Sequence, residues 1–483
     1  MKQKSLQANA ILSGAQKLLS IIFPLITFPY ITRVLQINTI GQINFSNSII
    51  SYFTLIAGLG ITNYATREGA MLRKNNSDIN GFVREIFTIN IISTFMAYGL
   101  LVGIYFLCPK LHSYFGFLAI ESITILGTTL GINWLYSIYE DYVYITIRTF
   151  AFQLISLILL FVLVRDENDY LVYVGINVFS AVGSNVLNLI HSKKYVDIGL
   201  TCKPNFKKHI RPILVIFAST IAITIYVNSD MTILGALKTD YEVGLYSVSV
   251  KIYTIIKQLV ASMVIVALPR VTSYLSEGNV NKYIDTVKIL FQVVFTFTIP
   301  IAIGLFMVSD NVILLISGSA YLEASISLKI LALCIIFAVF ASFVTYTILL
   351  PLRREKIQFK ATTTSATLNI CLNFVFIPLF AEKGAAITTL LAEFMVFWIQ
   401  ARGTKENSNN EMVNYLKIEK NNLVSVLLGS IYIVISVLFI KSIGLTLIIE
   451  TIVAVVTAAI GYFAILFLGH NTVTKVIAKK IEK

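Results

Sequence analysis

The sequence predicts an all-α polytopic membrane protein. It reads as about fourteen transmembrane helices, in two six-helix bundles followed by an additional helix pair. Three observations carry this reading. Hydrophobic residues make up 57% of the 483 residues and charged residues 13%, whereas an ordinary soluble domain carries about 25% charged residues. Mean hydropathy is +0.80. The apolar residues also fall in runs of the ~20 residues that a helix needs to cross the hydrocarbon core, separated by mostly short polar connections.

In order, the first run, 10–32, is too long for a signal-peptide core, lacks a convincing cleavage site and ends at Arg33. The second, 41–63, leads into the polar connection 64–83 with Arg67, Arg73 and Lys74. The third and fourth, 84–108 and 116–138, are joined near Lys110, and a tight turn at Glu140 and Asp141 leads to the fifth, 142–164. Arg165 separates that from the sixth, 169–191. The basic segment 192–210, with Lys193, Lys194, Lys203, Lys207 and Lys208, divides the chain. Beyond it lie 211–236 and 244–268, joined across Lys238, then 286–308 and 324–350 after the polar connection 269–285. Arg353, Arg354 and Lys356 precede 358–380, which turns at Lys383 into 384–402. The connection 403–421 precedes the last pair, 422–441 and 445–468, and lysines close the chain. The expected domains are therefore a bundle at 1–191, a cytoplasmic linker at 192–210, a second bundle at 211–402, and a loop, helix pair and basic tail at 403–483.

With the N-terminus in the cytoplasm, most loop lysines and arginines fall on one side, so the positive-inside rule places both termini there. The net charge of +13 is thus a topology and lipid-headgroup signal rather than a nucleic-acid one. The four cysteines and four histidines are scattered, which indicates neither a metal site nor a disulfide framework. No GxxxxGK[ST] phosphate loop, GxSxG elbow or HExxH helix is present. Any energy would come from an H+ or Na+ gradient or from consumption of the product, with no cofactor.

A weak internal repeat links the two halves. VLQINTIGQINFSNSII joins helices one and two, and ALKTDYEVGLYSVSVKI joins helices seven and eight. Each carries a Leu (Leu35, Leu237), a Gly (Gly41, Gly244) and a Ser five residues on (Ser46, Ser249). Repeated halves are common in secondary transporters.

Helical spacing marks the wet faces. Ser247, Lys251, Thr254, Gln258 and Ser262 step by three and four along helix eight. Similar stripes are Asn9, Ser13, Gln16 and Ser20 with Lys17, then Asn44, Asn47, Ser48 and Ser51, and Thr146, Thr149, Gln153 and Ser156. Such faces line a cavity or bond neighbouring helices. Among the embedded cations, Lys17 and Arg148 lie near cytoplasmic ends and can snorkel, Lys251 and Lys257 are deeper, and Lys329 also falls within a span. A mid-membrane cation costs roughly 2.5–3.5 kcal/mol on insertion scales, so a cationic cavity for an anionic cargo is the expectation. The embedded acids are Glu121, Asp230, Glu393 and Glu450, with Glu121 and Glu450 expected at the interface. For Asp230 an ion pair with Lys251 and an ion-coupling role are both open, and Glu393 stands with it as a coupling or pairing candidate.

The hairpin INWLYSIYEDYVYITIRT, 132–149, crowds Trp134, Tyr136, Tyr139, Tyr142 and Tyr144 around Glu140 and Asp141. The aromatics fit a headgroup belt, and the adjacent carboxylates in a turn do not make a catalytic dyad. Arg148 meets an anionic cargo at the cavity mouth or pairs with Glu140 or Asp141.

FSNSIISYFTLIAGLGITNYATRE (45–68), WLYSIYEDYVYITIRT (134–149) with DYLVYVGINVFSAVGSNVLN (169–188), IYVNSDMTILGALKTDYEVGLYSVSVKI (225–252) and NICLNFVFIPLFAEKGAAITTLLAEF (369–394) together resemble Wzx-type flippases of polysaccharide repeat units. These belong to the multidrug/oligosaccharidyl-lipid/polysaccharide (MOP) exporter superfamily. The most specific features are Asp230 followed by Val243, Gly244, Leu245 and Tyr246, and Gly384, Ala385 and Ala386 before Thr388. The resemblance implies a V-shaped pair of bundles in the bacterial cytoplasmic membrane, working by alternating access. Its cargo would be an undecaprenyl-diphosphate-linked oligosaccharide, with membrane lipids, a polysaccharide polymerase and chain-length proteins as partners. By position, Lys17, Lys251 and Lys257 are the implied contacts to the diphosphate and sugar acids. The helix pair at 422–468 departs from the family's usual twelve and keeps a lipid II or teichoic-type carrier as an alternative. A multidrug cation antiporter would want an acidic lumen, and a membrane glycosyltransferase would want a sizeable outer loop.

Overall fold

Lipid offers backbone amides no partner, so a chain this apolar must satisfy them internally, as helices or a closed barrel. The computed structural model describes residues 22–75, 78–202, 204–265, 267–404, 415–469 and 471–474. Among these, every regular element is helical. Twelve helical spans are long and apolar enough to cross a membrane, beside the shorter α1 (Ile22–Val34). The longest, α15 (Glu355–Gly403), is folded in two at Ala381, with φ 50° and ψ −127° three residues after Pro378. Its two arms match the expected runs 358–380 and 384–402, and the described α1 lies within the first expected run.

The described residues up to Gly235, with Thr239–Gly244, form one compact unit, and Ala236–Lys238 with the residues from Leu245 onward form another. The first unit contains α1, α2 (Ile37–Gly58), α3 (Ile61–Lys74), α4 (Ile79–Leu107), α5 (Phe115–Gly131), α6 (Asn133–Ile138), α7 (Tyr142–Leu163), α8 (Tyr170–Val178) and α9 (Asn185–Ser192). It also takes most of α10 (Phe206–Leu237), the helix that hydropathy alone assigns to the second bundle. Side-chain contacts explain this. His209 is fully buried between the Tyr64 hydroxyl at 2.8 Å and Glu85 Oε2 at 2.7 Å. Further along, the Thr232 hydroxyl donates to Ser48 Oγ at 2.9 Å.

The fourth crossing is discontinuous. Ile132, at φ 37° and ψ 35°, breaks it between α5 and α6. Backbone carbonyls freed in a membrane need new donors. Asn188 supplies one to the Gly131 carbonyl, and Asn185 Nδ2 gives another to Gly127 O at 2.9 Å.

The second unit holds most of α11 (Asp240–Ile265), then α12 (Leu268–Ser276), α13 (Val280–Ser317), α14 (Ala324–Val344), α15, α16 (Lys420–Ile443) and α17 (Leu447–Leu468). Small residues set its close approaches, as in membrane helix pairs generally. Gly384, Ala385 and Ala386 are buried where the second arm of α15 folds back on the first, and a side chain at Gly384 would strike the Phe376 carbonyl. The extra pair is pinned reciprocally, Gly429 under the Tyr462 ring and Gly461 under the Tyr432 ring. The Tyr462 hydroxyl donates to Thr296 O at 2.6 Å, which ties α17 to α13.

Candidate functional site

In the first unit two of the expected site residues, Arg148 and Gln153, lie on α7. Arg148 is buried, 7% exposed. Its guanidinium donates to Asn188 Oδ1, and to Asn133 Oδ1 at 3.2 Å. The Tyr144 ring lies 5.8 Å from its Cζ. Neither carboxylate of the hairpin pairs with it: Glu140 is exposed at φ 57°, and Asp141 accepts from the Tyr195 hydroxyl at 2.7 Å. Arg148 thus does not snorkel. It joins the amides that repair the helix break, and its Nε has no described partner. A guanidinium among neutral amides keeps its full charge available to an anion. Along the same helix Gln153 Oε1 and Ser156 Oγ are also buried without described partners.

The aromatic belt expected at 132–149 is corrected by this geometry. Trp134 and Tyr136 are buried, and the Tyr136 hydroxyl donates to Asn188 O at 2.6 Å. Tyr144 stacks on His191 at 4.0 Å, and Tyr139 on Tyr195 at 4.5 Å. The break at Ile132 redirects α6 so that its rings join the cluster formed with α3, α4 and the segment after α9. Burial, and the hydrogen bond that the Asp141 carboxylate accepts from it, hold the Tyr195 hydroxyl protonated well above the ordinary tyrosine range.

The stripe on α2 divides. Ser48 is buried and bonded to Thr232, Asn44 donates to the Ile40 carbonyl at 2.8 Å, and Asn47 is exposed. Asp230 is buried on α10. Glu121, expected at the interface, is instead 3% exposed, and its Oε2 has no described partner. It faces inward because α5 packs between α2, α4 and α8. Lys17 lies outside the described residues.

In the second unit α11 carries the stripe. Ser247 is buried, Lys251 and Thr254 are half-buried and Gln258 is exposed. Lys257 Nζ lies 3.3 Å from Glu393 Oε1, and the same oxygen accepts from the Tyr253 hydroxyl at 3.3 Å. Lys329 sits in a tighter pair, donating to both oxygens of Asp310 at 2.8 and 2.9 Å, with Lys441 Nζ at 3.9 Å. That knot ties α13, α14 and α16 together. Glu450 accepts from Asn311 Nδ2 at 2.8 Å in the first turn of α17, where the helix dipole favours a carboxylate. Between α11, α13, α16 and α17 lies an apolar cavity of about 370 Å³, lined among others by Ile256, Phe297, Leu305, Val437 and Ala458. No His, Cys, Asp or Glu cluster suited to a metal occurs among the described residues.

Sequence reasoning missed Asn133 and Asn188, whose role depends on a helix break that hydropathy smooths over. It also missed Asp310, nineteen residues from Lys329 on the neighbouring helix. Tyr253 was legible in principle, since it stands one turn before Lys257.

A family model of polysaccharide biosynthesis proteins matches residues 6–275. A Shigella dysenteriae protein assigned O-antigen transport by name is 22% identical over 388 residues, which cover 80% of this chain and 96% of that one. Its Escherichia coli K12 counterpart is 21% identical over 398 residues, covering 81% and 95%. Among solved structures, the lipid II flippase MurJ superposes with a TM-score of 0.73 at 15% identity, over 95% of this chain and 99% of that one. A multidrug resistance MATE family transporter of the MOP superfamily gives 0.59 at 11% identity, over 79% and 96%. At these identities the structural likeness is one of fold.

Proposed function

The chain belongs to the polysaccharide biosynthesis protein family, and on that premise we propose that it flips undecaprenyl-diphosphate-linked oligosaccharide repeat units across the bacterial cytoplasmic membrane. It is a multi-pass membrane transporter of the MOP superfamily, not an enzyme. It takes its cargo at the inner leaflet, releases it at the outer one by alternating access, and keeps both termini in the cytoplasm. The flipped units pass to a polymerase and chain-length proteins for surface polysaccharide assembly.

The observation that carries this reading is the placement of cations inside spanning helices. Lys251 and Lys257 lie on α11, and Arg148 is buried on α7 among neutral amides. Embedded ionisable residues mark transport pathways, and fixed positive charge replaces the hydration that a diphosphate loses on entry. The polar residues of the same helices, Gln153 and Thr254 among them, offer hydrogen bonds to sugar hydroxyls. A polyprenyl tail has the apolar surface that the cavity beside α16 and α17 would cover.

Deleting the gene and analysing lipid-linked intermediates tests this directly. Complete repeat units should accumulate on the carrier lipid at the inner leaflet, with loss of surface polysaccharide. Normal surface glycan with new dye sensitivity would instead assign the chain to drug export.

A further inference from the structure

We propose that Glu393 is a resident rival anion for Lys257: it holds the ammonium when no cargo is present and reclaims it to eject the cargo's diphosphate. The inference rests on the flippase reading above and adds a release residue to it.

The two lysine–carboxylate pairs of the second unit are built differently. Lys329 grips Asp310 through both oxygens at 2.8 and 2.9 Å, with Lys441 close by. Lys257 reaches Glu393 through one oxygen at 3.3 Å and leans on the Tyr253 ring, 4.8 Å from its centroid. An ammonium has three donors, so this second pair leaves Lys257 free to swing. The partners also differ in setting. The Lys257 side chain is 30% exposed and that of Glu393 9%, with the acid anchored by the Tyr253 hydroxyl. The pair is therefore built to open from the lysine side, leaving the carboxylate in place.

The chemistry of exchange follows. A diphosphate offers more charge and more acceptor oxygens than a carboxylate, so it can draw Lys257 away. Doing so leaves Glu393 desolvated and unpaired by its cation, which is unfavourable and offsets part of the binding energy. Glu393 stays tethered nearby at a high effective concentration and recaptures Lys257 once the cargo has a way out. A conduction pathway needs binding strong enough to enter and weak enough to leave. Glu393 supplies the second half.

The test uses the full-length chain in phosphatidylcholine nanodiscs, with undecaprenyl diphosphate and inorganic pyrophosphate as probes. Binding and dissociation are measured for the wild type, Glu393→Gln, Lys257→Gln and the double variant. Glu393→Gln should bind undecaprenyl diphosphate about ten-fold tighter, a 1.4 kcal/mol gain, and release it more slowly. Lys257→Gln should bind more weakly, and the gain from Glu393→Gln should vanish in the double variant. Saturating pyrophosphate should displace the lipid. Thermal unfolding of each variant in the same nanodiscs controls for folding. Unchanged or weaker binding by Glu393→Gln, a gain that persists without Lys257, or no displacement by pyrophosphate would overturn the exchange while leaving the flippase reading intact. A wild-type chain that binds no undecaprenyl diphosphate overturns both.

Discussion

Gly41 and Gly244 face each other where α2 crosses the first turns of α11. A β-carbon on Gly41 would overlap the Asp240 carbonyl oxygen and stand 3.0 Å from Gly244 N, and one on Gly244 would overlap the Ile37 carbonyl. The crossing is fastened by Asp240, which accepts from Gln42 Nε2 at 3.1 Å and from the Tyr114 hydroxyl at 2.5 Å. Backbone lies against backbone, so the overlap cannot be relieved by a side-chain rotation. Gly41→Val and Gly244→Val should each destabilise the protein by about 3 kcal/mol or more, at or above the upper range for overpacking. Gly58→Ala and Gly99→Ala, where nothing lies within 4 Å, should be neutral or slightly stabilising. Thermal unfolding in detergent separates the two classes. Equal melting of all four variants would contradict the crossing.

Arg148 and Asn188 make a second test. Removing the guanidinium takes the charged donor from Asn133 Oδ1 and leaves Asn188 Oδ1, on a fully buried residue, without its own, at about 1.5–3 kcal/mol for a charge-assisted hydrogen bond. Arg148→Ala should therefore lower stability as well as transport. Arg148→Lys keeps the charge but cannot fork to two amides. It should recover transport only to the extent that it recovers stability. Full stability with no transport in Arg148→Lys would mean that the cargo needs the forked guanidinium and not its charge alone.

Asp310 and Lys329 should behave as a lock. Their side chains are 35% and 30% exposed, so a coupling of about 1 kcal/mol is expected in a double-mutant cycle, near the top of the range for solvent-screened pairs. Lys329→Met alone should weaken the packing of α13 on α14 but leave cargo affinity within about two-fold. A large loss of affinity with unchanged melting would move Lys329 from the lock to the binding surface.

Glu121 makes no described hydrogen bond through Oε2. A buried polar atom without a partner subtracts from stability, so Glu121→Gln should melt at the same temperature as the wild type or higher. A loss above about 1 kcal/mol would show that the carboxyl is held by an interaction of its own.

Much of the fold was legible because lipid imposes one rule on every span. Apolar runs of sufficient length located most of the spans, and the repeat marked Gly41 and Gly244 as matching positions, though not that the two glycines meet. Three features were not legible, each for a physical reason. The break at Ile132 lies inside an uninterrupted apolar run, and its repair depends on Asn185 and Asn188 some fifty-five residues later. The aromatics of α6 have the composition of a headgroup belt, and only the redirected helix shows them packed inward. The allegiance of α10 is set by His209 and Thr232 against α3, α4 and α2, contacts that carry no periodic signature. At the site, the apolar runs identified Lys257 and Glu393 as embedded charges, but their union across 3.3 Å belongs to tertiary packing.

The central claim, movement of a lipid-linked oligosaccharide between leaflets, is tested most directly in proteoliposomes. A fluorescent undecaprenyl-diphosphate oligosaccharide from the source organism is incorporated in both leaflets, and its outer fraction is read by dithionite quenching. With the wild-type chain, quenching should proceed beyond the outer half to nearly all of the label, while the Lys251→Gln, Lys257→Gln double variant, inserted at equal density, should stop near half. Quenching that stops at half with the wild-type chain, or that proceeds equally well without the two lysines, would contradict the account.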